Sequence, residues 1–281
     1  MNDVQKPAPP MPAHPQSPLP HAQAHRERRN VIGAPIDVVY WGGAVATLLR
    51  WAAARESRFV CACNVHSVMT AQSDAGLAAA LRDADMVLPD GAPVAWLMRQ
   101  STAGAATAAQ STPAAQQRVT GPDLMWRYFA AAAPYRESIF LYGGSPDTLA
   151  RLSARITATF PGLRIVGTHS PPFRPLSAQE DQADVDMLNA SGASTVWVSL
   201  GCPKQEVWMA EHRARVQSVL VGVGAAFGFH AGTIRRAPLW MQRLALEWLH
   251  RLLSEPQRLW RRYLTTNAAF VVAAVRQLWR G

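Results

Sequence analysis

The 281-residue chain has few cysteines, few lysines and no long apolar run. Its three cysteines, Cys61, Cys63 and Cys202, cannot build a disulfide framework, and the Cys-x-Cys spacing of the first two is not the Cys-x2-Cys of common zinc sites. They read as free thiols in a reducing compartment. No apolar stretch approaches the roughly 18 residues that a membrane-spanning helix needs. The first residues carry no apolar h-region, so an ordinary secretory signal is not expected. The sequence also lacks a P-loop, a Gly-x-Gly-x-x-Gly turn after a first strand and a Gly-x-Ser-x-Gly elbow. Those absences remove the usual signatures of P-loop hydrolysis, dinucleotide binding and serine hydrolysis. With 49% hydrophobic and 17% charged residues, the chain affords a packed core and is not disordered throughout.

The net charge of +9 is unevenly placed. Residues 1–30 carry +2, residues 235–281 carry +7 through nine arginines, and the stretch between is neutral. A neutral body with a cationic end points to one surface built for an anionic partner, either lipid headgroups or nucleic acid. Only Lys6 and Lys204 are lysines, against 26 arginines. Residues 1–30 also hold seven of the 21 prolines and no apolar period, and are expected to be a disordered leader. His14, His21 and His25 within it lack the spacing of a metal site.

From about residue 31 strand and helix patterns alternate. Strands are predicted at 58–63, 86–88, 138–142, 164–167, 195–200 and 218–223, and helices at 44–54, 65–71, 75–84, 93–100, 122–132, 146–159, 179–190 and 204–216. That repetition predicts an α/β fold, a Rossmann-like, mainly parallel sheet with helices on both faces, over residues 31–235. Residues 101–117, rich in Ala, Ser, Thr and Gln, read as a loop or lid. Residues 236–281 read as a separate helical appendage. Pro238 suits a helix start, and Trp240, Leu244, Trp248, Leu249, Leu252 and Leu253 form an apolar stripe at helical spacing. Arg251, Arg258, Arg261 and Arg262 share one helical side. Arginine beside tryptophan on amphipathic helices suits an interfacial membrane binder, and equally an ordinary terminal helix pair with a solvated face.

In a parallel sheet ligands bind beyond the carboxyl ends of the strands, so the strand-to-helix turns carry the chemistry. Four are loaded. Asn64 ends one strand, and Asp90 sits between Pro89 and Gly91 at the end of another. Gly143-Gly144 precedes a helix, where backbone N–H groups can approach a phosphate. Lys204-Gln205-Glu206 opens a helix with a cation and two polar side chains. Asp83-Ala84-Asp85 has the Asp-x-Asp form of metal-dependent sugar transferases, but closes a helix rather than lining a strand end.

In series these turns are more specific than any one of them. Asn64, Ala84-Asp85-Met86-Val87-Leu88-Pro89-Asp90-Gly91, Arg118-Val119-Thr120-Gly121 and Gly143-Gly144 come first. Leu200-Gly201-Cys202-Pro203-Lys204-Gln205-Glu206, Gly222-Val223-Gly224-Ala225-Ala226-Phe227 and Arg236-Ala237-Pro238 follow, then the Leu246-Glu247-Trp248-Leu249 region through Arg258. Over about residues 58–264 this resembles the WecG/TagA/CpsF family of bacterial glycosyltransferases. The resemblance implies an inverting, metal-independent transfer of a sugar from a UDP-sugar donor to a polyprenyl-diphosphate-linked saccharide, with no cofactor. It further implies a role in exopolysaccharide or cell-surface glycan synthesis, and a C-terminal appendage that docks on the inner face of the plasma membrane. The family's catalytic aspartate falls on Asp90, its substrate-contacting asparagine on Asn64, its conserved glutamine on Gln205 and its appendage arginines on Arg251, Arg258 and Arg261. The resemblance favours the membrane reading of residues 236–281. Two positions depart from the family: Ala62 stands where Thr is frequent, and Gly228 where many members have Asp. These departures leave an inactive scaffold of a polysaccharide assembly complex as an alternative. A nucleic-acid-binding protein is disfavoured by the neutral core and the lack of a helix-turn-helix or RNA-binding motif. Monomer and homo-oligomer both stay open.

Overall fold

The computed structural model describes residues 26–100, 116–244 and 246–280; the side chains of residues 239, 243, 258, 259, 261–264 and 280 are outside the description. The expected leader up to residue 25 and nearly all of the expected loop at 101–117 therefore lie outside the described residues.

The chain opens with a hairpin, β1 (Arg28–Val31) and β2 (Ala34–Asp37), followed by α1 (Trp41–Ala53). Then come β3 (Arg58–Cys63), α2 (Val65–Thr70), α3 (Ala75–Asp83), β4 (Met86–Pro89), α4 (Ala92–Gln100) and α5 (Gly121–Ala132). The middle continues through β5 (Ser138–Gly143), α6 (Pro146–Thr159), β6 (Arg164–His169), α7 (Ala178–Ala190), β7 (Thr195–Ser199) and α8 (Lys204–His212). It ends with β8 (Val219–Gly222), α9 (Ala226–Ala231), α10 (Leu239–Arg243), α11 (Glu247–Ser254) and α12 (Pro256–Arg280). All six strands and eight helices read from the sequence are present. The hairpin and α9 were not anticipated, and Arg28–Asn30, assigned to the leader, are strand residues.

Local chemistry explains the helix starts. Asn64, Thr120 and Ser145 cap α2, α5 and α6 by accepting hydrogen bonds from first-turn N–H groups. Ser177 and Glu180 form a reciprocal capping box on α7.

The main sheet has the order β4-β3-β8-β7-β5-β6, and every neighbouring pair is parallel. It is buried on both faces. Phe59, Cys61 and Cys63 of β3 point to one core with Leu220, Val198 and Tyr142, while Val60, Val221 and Trp197 point to the other with Leu124, Tyr128 and Leu152. This period of two is why the strands read as continuous apolar runs. From β3 the chain moves outward to β4, and from β5 outward to β6 at the opposite edge. The point at which the chain reverses direction thus falls over β8 and β7, the strands between, with the carboxyl ends of β3 and β4 beside it.

Asp37 and Asp85 hold the opposite end of the sheet. Asp37 accepts from Arg26 at 2.8 and 2.9 Å and from the Val87 N–H at 2.6 Å, which joins the hairpin to β4. Asp85 takes Arg58 and Arg213, each at 2.8 Å, and the Phe59 N–H at 3.0 Å. The Asp-x-Asp segment therefore lies at the amino end of β4, with Asp85 engaged in structural ion pairs.

The C-terminal segment is less separate than its composition suggests. Phe270 and Ala274 of α12 are buried in the core that contains Val68 of α2. Gln277 donates to the Asn30 carbonyl at 2.8 Å and accepts from the Ile32 N–H at 2.7 Å. It thereby clamps a hairpin turn in which the β-branched Ile32 sits at φ 50°. Phe270→Ala is expected to lower stability by about 3 kcal/mol, seen as a drop of several degrees in thermal denaturation. An unchanged midpoint would mean that α12 contributes nothing to the core.

Candidate active site

The carboxyl ends of β3 and β4 place Asn64 and Asp90 side by side. They are adjacent parallel strands, with Cys63 opposite Pro89 in the register. The Asp90 N–H donates to the Cys63 carbonyl at 3.0 Å, and the Val119 N–H to the Pro89 carbonyl at 3.1 Å. Those bonds lay the segment leading to α5 along the end of β4. Gly91 follows at φ 104°, a left-handed value that a side chain would strain. Asn64 uses its Oδ1 to cap α2 and hydrogen-bonds to the Asp90 carboxylate.

The electrostatics of Asp90 are unusual for an aspartate. Burial pushes its pKa up to about 6 and the negative charge of Glu247 adds to that, against the Asn64 hydrogen bond and the charge of Arg118. Around it lies a partly buried charged cluster. Arg118 donates to Glu247 at 2.8 Å, and Arg236 makes a two-pronged contact with Asp123 at 2.6 and 2.8 Å. Glu247 Oε1 lies 3.8 Å from Arg236 Nε. Asp123 also accepts from the Thr120 hydroxyl at 2.7 Å. Burial opposes ionisation of Asp123, but the Arg236 and Thr120 hydrogen bonds hold its pKa below the ordinary value. Arg118, Asp123, Arg236 and Glu247 were not among the expected site residues. Arg118, Arg236 and Glu247 stood in the motif strings, but nothing in the sequence paired residues more than 110 positions apart.

Over β7 and β8 the arrangement is tight. Gln205, at the start of α8, accepts from the Gly224 N–H at 3.0 Å and donates to Glu206 at 3.2 Å. Gly222 leaves the room that the Gln205 and Met209 side chains fill: an added Cβ would lie 2.5 Å from Gln205 Nε2 and 2.6 Å from Met209 Cε, and both would have to move. Gln205 is thus a buried bridge between α8 and the end of β8. Glu206 is buried as well, its Oε2 has no hydrogen-bond partner among the described residues, and burial pushes its pKa up to about 7. The Gly143-Gly144 turn has φ values of 105° and 74°. The Gly144 N–H donates to the Ser199 carbonyl at 3.1 Å, so that donor is committed within the protein.

The other expected residues are spread out. Lys204 is exposed and lines a cavity of about 320 Å³ with Tyr142, Asp181, Trp208 and His212, whose walls do not include Asp90. Arg251 sets its guanidinium 5.7 Å from the Phe229 ring on α9. Arg258 and Arg261 fall in the first turns of α12, with side chains outside those described. At the departing position Gly228, an added Cβ would lie 2.6 Å from Ile234 Cδ1, so the space for a side chain is filled. Ala62 brings no hydroxyl to the end of β3.

A model of the glycosyl transferase WecG/TagA/CpsF family matches residues 29–281. The chain belongs to this family. It is a glycosyltransferase, and the family's work is cell-surface glycan biosynthesis. The transferase carries no described helix long and apolar enough to cross a membrane. Among its described residues no three His, Cys, Asp or Glu side chains are grouped as a metal-binding set.

A raised carboxyl pKa has a consequence for stability. Asp90 has a folded pKa of about 6 against an ordinary 3.8, so the folded chain holds this proton more tightly than the unfolded chain. Below about pH 3 both states are protonated and nothing is lost. Between there and pH 6 a cost grows, and above pH 6 it is complete, at no more than about 3 kcal/mol. Asp90→Asn is therefore expected to be more stable than wild type to urea at pH 7.5 and equal to it at about pH 3. Equal stability at both values would show that Asp90 is not held under strain.

Proposed function

We propose that this glycosyltransferase moves a sugar, with inversion and without a metal, from a UDP-sugar to a polyprenyl-diphosphate-linked saccharide on the cytoplasmic face of the plasma membrane. The observation that carries the reading is Asp90, a carboxylate at the strand-end crevice with its pKa raised to about 6. An acid poised near the working pH suits general-base catalysis. In the proposed step an acceptor hydroxyl oxygen attacks the anomeric carbon from the face opposite the diphosphate. The new carbon–oxygen bond forms as the bond to the diphosphate breaks. The hydroxyl proton passes to Asp90, and UDP departs with the bonding pair.

Charge on the departing diphosphate needs cations or N–H dipoles. Arg118 and Arg236 stand in the cluster around Asp90, and Arg251 comes from the core-facing side of α11. Arg258 and Arg261 are assigned the same duty by the family resemblance, which also puts Asn64 and Gln205 at the substrate; Glu206 and the Gly143-Gly144 turn join them as polar groups of the strand-to-helix turns. Lys204, on its own cavity, is the weakest member of that set.

The lipid acceptor is supported by the surface of the C-terminal segment. Trp240, Leu244, Leu253, Trp260 and Trp279 are exposed on it, and residues 235–281 carry +7. Exposed tryptophan and leucine can enter the headgroup boundary while arginines meet anionic lipid, at about 1 kcal/mol for each basic residue near the surface.

The test is transfer by the purified chain in liposomes that carry a lipid-diphosphate-linked sugar, supplied with a panel of UDP-sugars. Consumption of one donor is expected, weakened by high salt. Asp90→Asn should lower the rate about 100- to 10,000-fold while leaving the fold intact. Wild-type turnover by folded Asp90→Asn would remove Asp90 from the mechanism.

A further inference from the structure

Five groups act on Asp90 from five segments. They are Asn64 before α2, Arg118 in the approach to α5, Asp123 on α5, Arg236 before α10 and Glu247 at the start of α11. Three carboxylates thus share two guanidinium groups, and the pairing among them is uneven. Arg236 is fixed on Asp123 by two short contacts. Arg118 is taken by Glu247 at 2.8 Å and reaches the Gln242 carbonyl at 3.4 Å, also in the C-terminal segment. Among the described residues no ion pair within 4.0 Å reaches Asp90 itself, although Arg118 is the guanidinium whose charge acts most strongly on it.

We propose that Glu247 is a positioning residue for Asp90: by holding Arg118 in an ion pair it keeps that guanidinium from closing on the proposed base, and it does so only while α11 is docked. The inference rests on the reading of Asp90 as the base, and extends it by making base strength depend on the C-terminal segment. The physical reason is direct. A carboxylate in contact with arginine is stabilised in its charged form and accepts a proton poorly. With Glu247 in place Arg118 is occupied, and the Glu247 charge itself disfavours ionisation of Asp90. Without Glu247, or with α11 lifted away, both effects reverse in the same direction. The cluster is only partly exposed, with Arg118 at 23% and Glu247 at 30%, so solvent screening does not erase these terms.

The test reads the Asp90 carboxyl directly. In the full-length chain labelled with carbon-13 at aspartate carboxyls, the Asp90 resonance is assigned by its loss in Asp90→Asn and followed against pH. In Glu247→Gln its midpoint is expected to fall by about one pH unit or more relative to wild type. Glu247→Asp, which keeps the charge, is expected to return it most of the way. Should the neutral variant undock α11, as hydrogen exchange over residues 247–254 would reveal, Arg118 is released just the same and the midpoint still falls. A midpoint unmoved by Glu247→Gln overturns the proposal in either case. Because this titration needs no turnover, it is separate from the reading of Asp90 as base, which fails instead if Asp90→Asn stays active.

Discussion

One constraint governs the site: a half-buried carboxyl group held at a strand end, where packed protein replaces much of its water. Asp90 occupies that position because β4 ends at Pro89 and the next turn is pinned on both sides. The Cys63 carbonyl takes the Asp90 N–H, and the Val119 N–H closes on Pro89. The Asn64 amide beside it and the C-terminal segment near it complete the enclosure. Burial that would be a defect elsewhere becomes useful at a strand end, where a ligand can reach the group from the crevice.

The parallel sheet supplies the scaffold for that placement. Its two ends differ in what their charges do. At the amino end Asp37 and Asp85 are saturated by arginines and backbone N–H groups, and join the hairpin and α8 to the sheet. At the carboxyl end the arginines are shared among Asp90, Asp123 and Glu247 and are not matched one to one. The C-terminal helices dock on the molecule at several places, among them Glu247 on Arg118, Arg251 on Phe229, Phe270 in the core with Val68 of α2, and Gln277 on the hairpin. A segment that composition marks as a membrane face is therefore also part of the folded body.

Most of the sheet was legible in the sequence because buried parallel strands are continuous apolar runs, and capped helices announce their starts. The hairpin was not, since Arg28, Arg29 and Asn30 carry no apolar alternation and are held by Asp37 in the partner strand and by Gln277 far along the chain. The α9 helix was missed because its six residues are too few for a period to appear and, unlike the equally short α2, it starts without a capping side chain. Asp90 and Asn64 were singled out by strand-end reasoning and the family motif together, and the fold places them side by side. The salt links Arg118–Glu247 and Arg236–Asp123 were not, because side-chain pairing across 129 and 113 positions leaves no trace in one sequence. Gln205 was read from the motif as a substrate contact; its bonds to the Gly224 N–H and to Glu206, which tie α8 to the end of β8, were not legible in the sequence.

The central claim is that Asp90 is the base and works from a raised pKa. The measurement that bears on it most directly is the pH dependence of kcat/KM for sugar transfer by the wild-type chain, taken from pH 4.5 to 8 over the range in which it stays folded. The account predicts a rate that is level above about pH 6.5 and falls tenfold per pH unit below about 6, as the free protein's Asp90 takes up its proton. A profile that stays level down to pH 4.5 would contradict it, because an aspartate with an ordinary pKa, or none at all, would then be setting the rate.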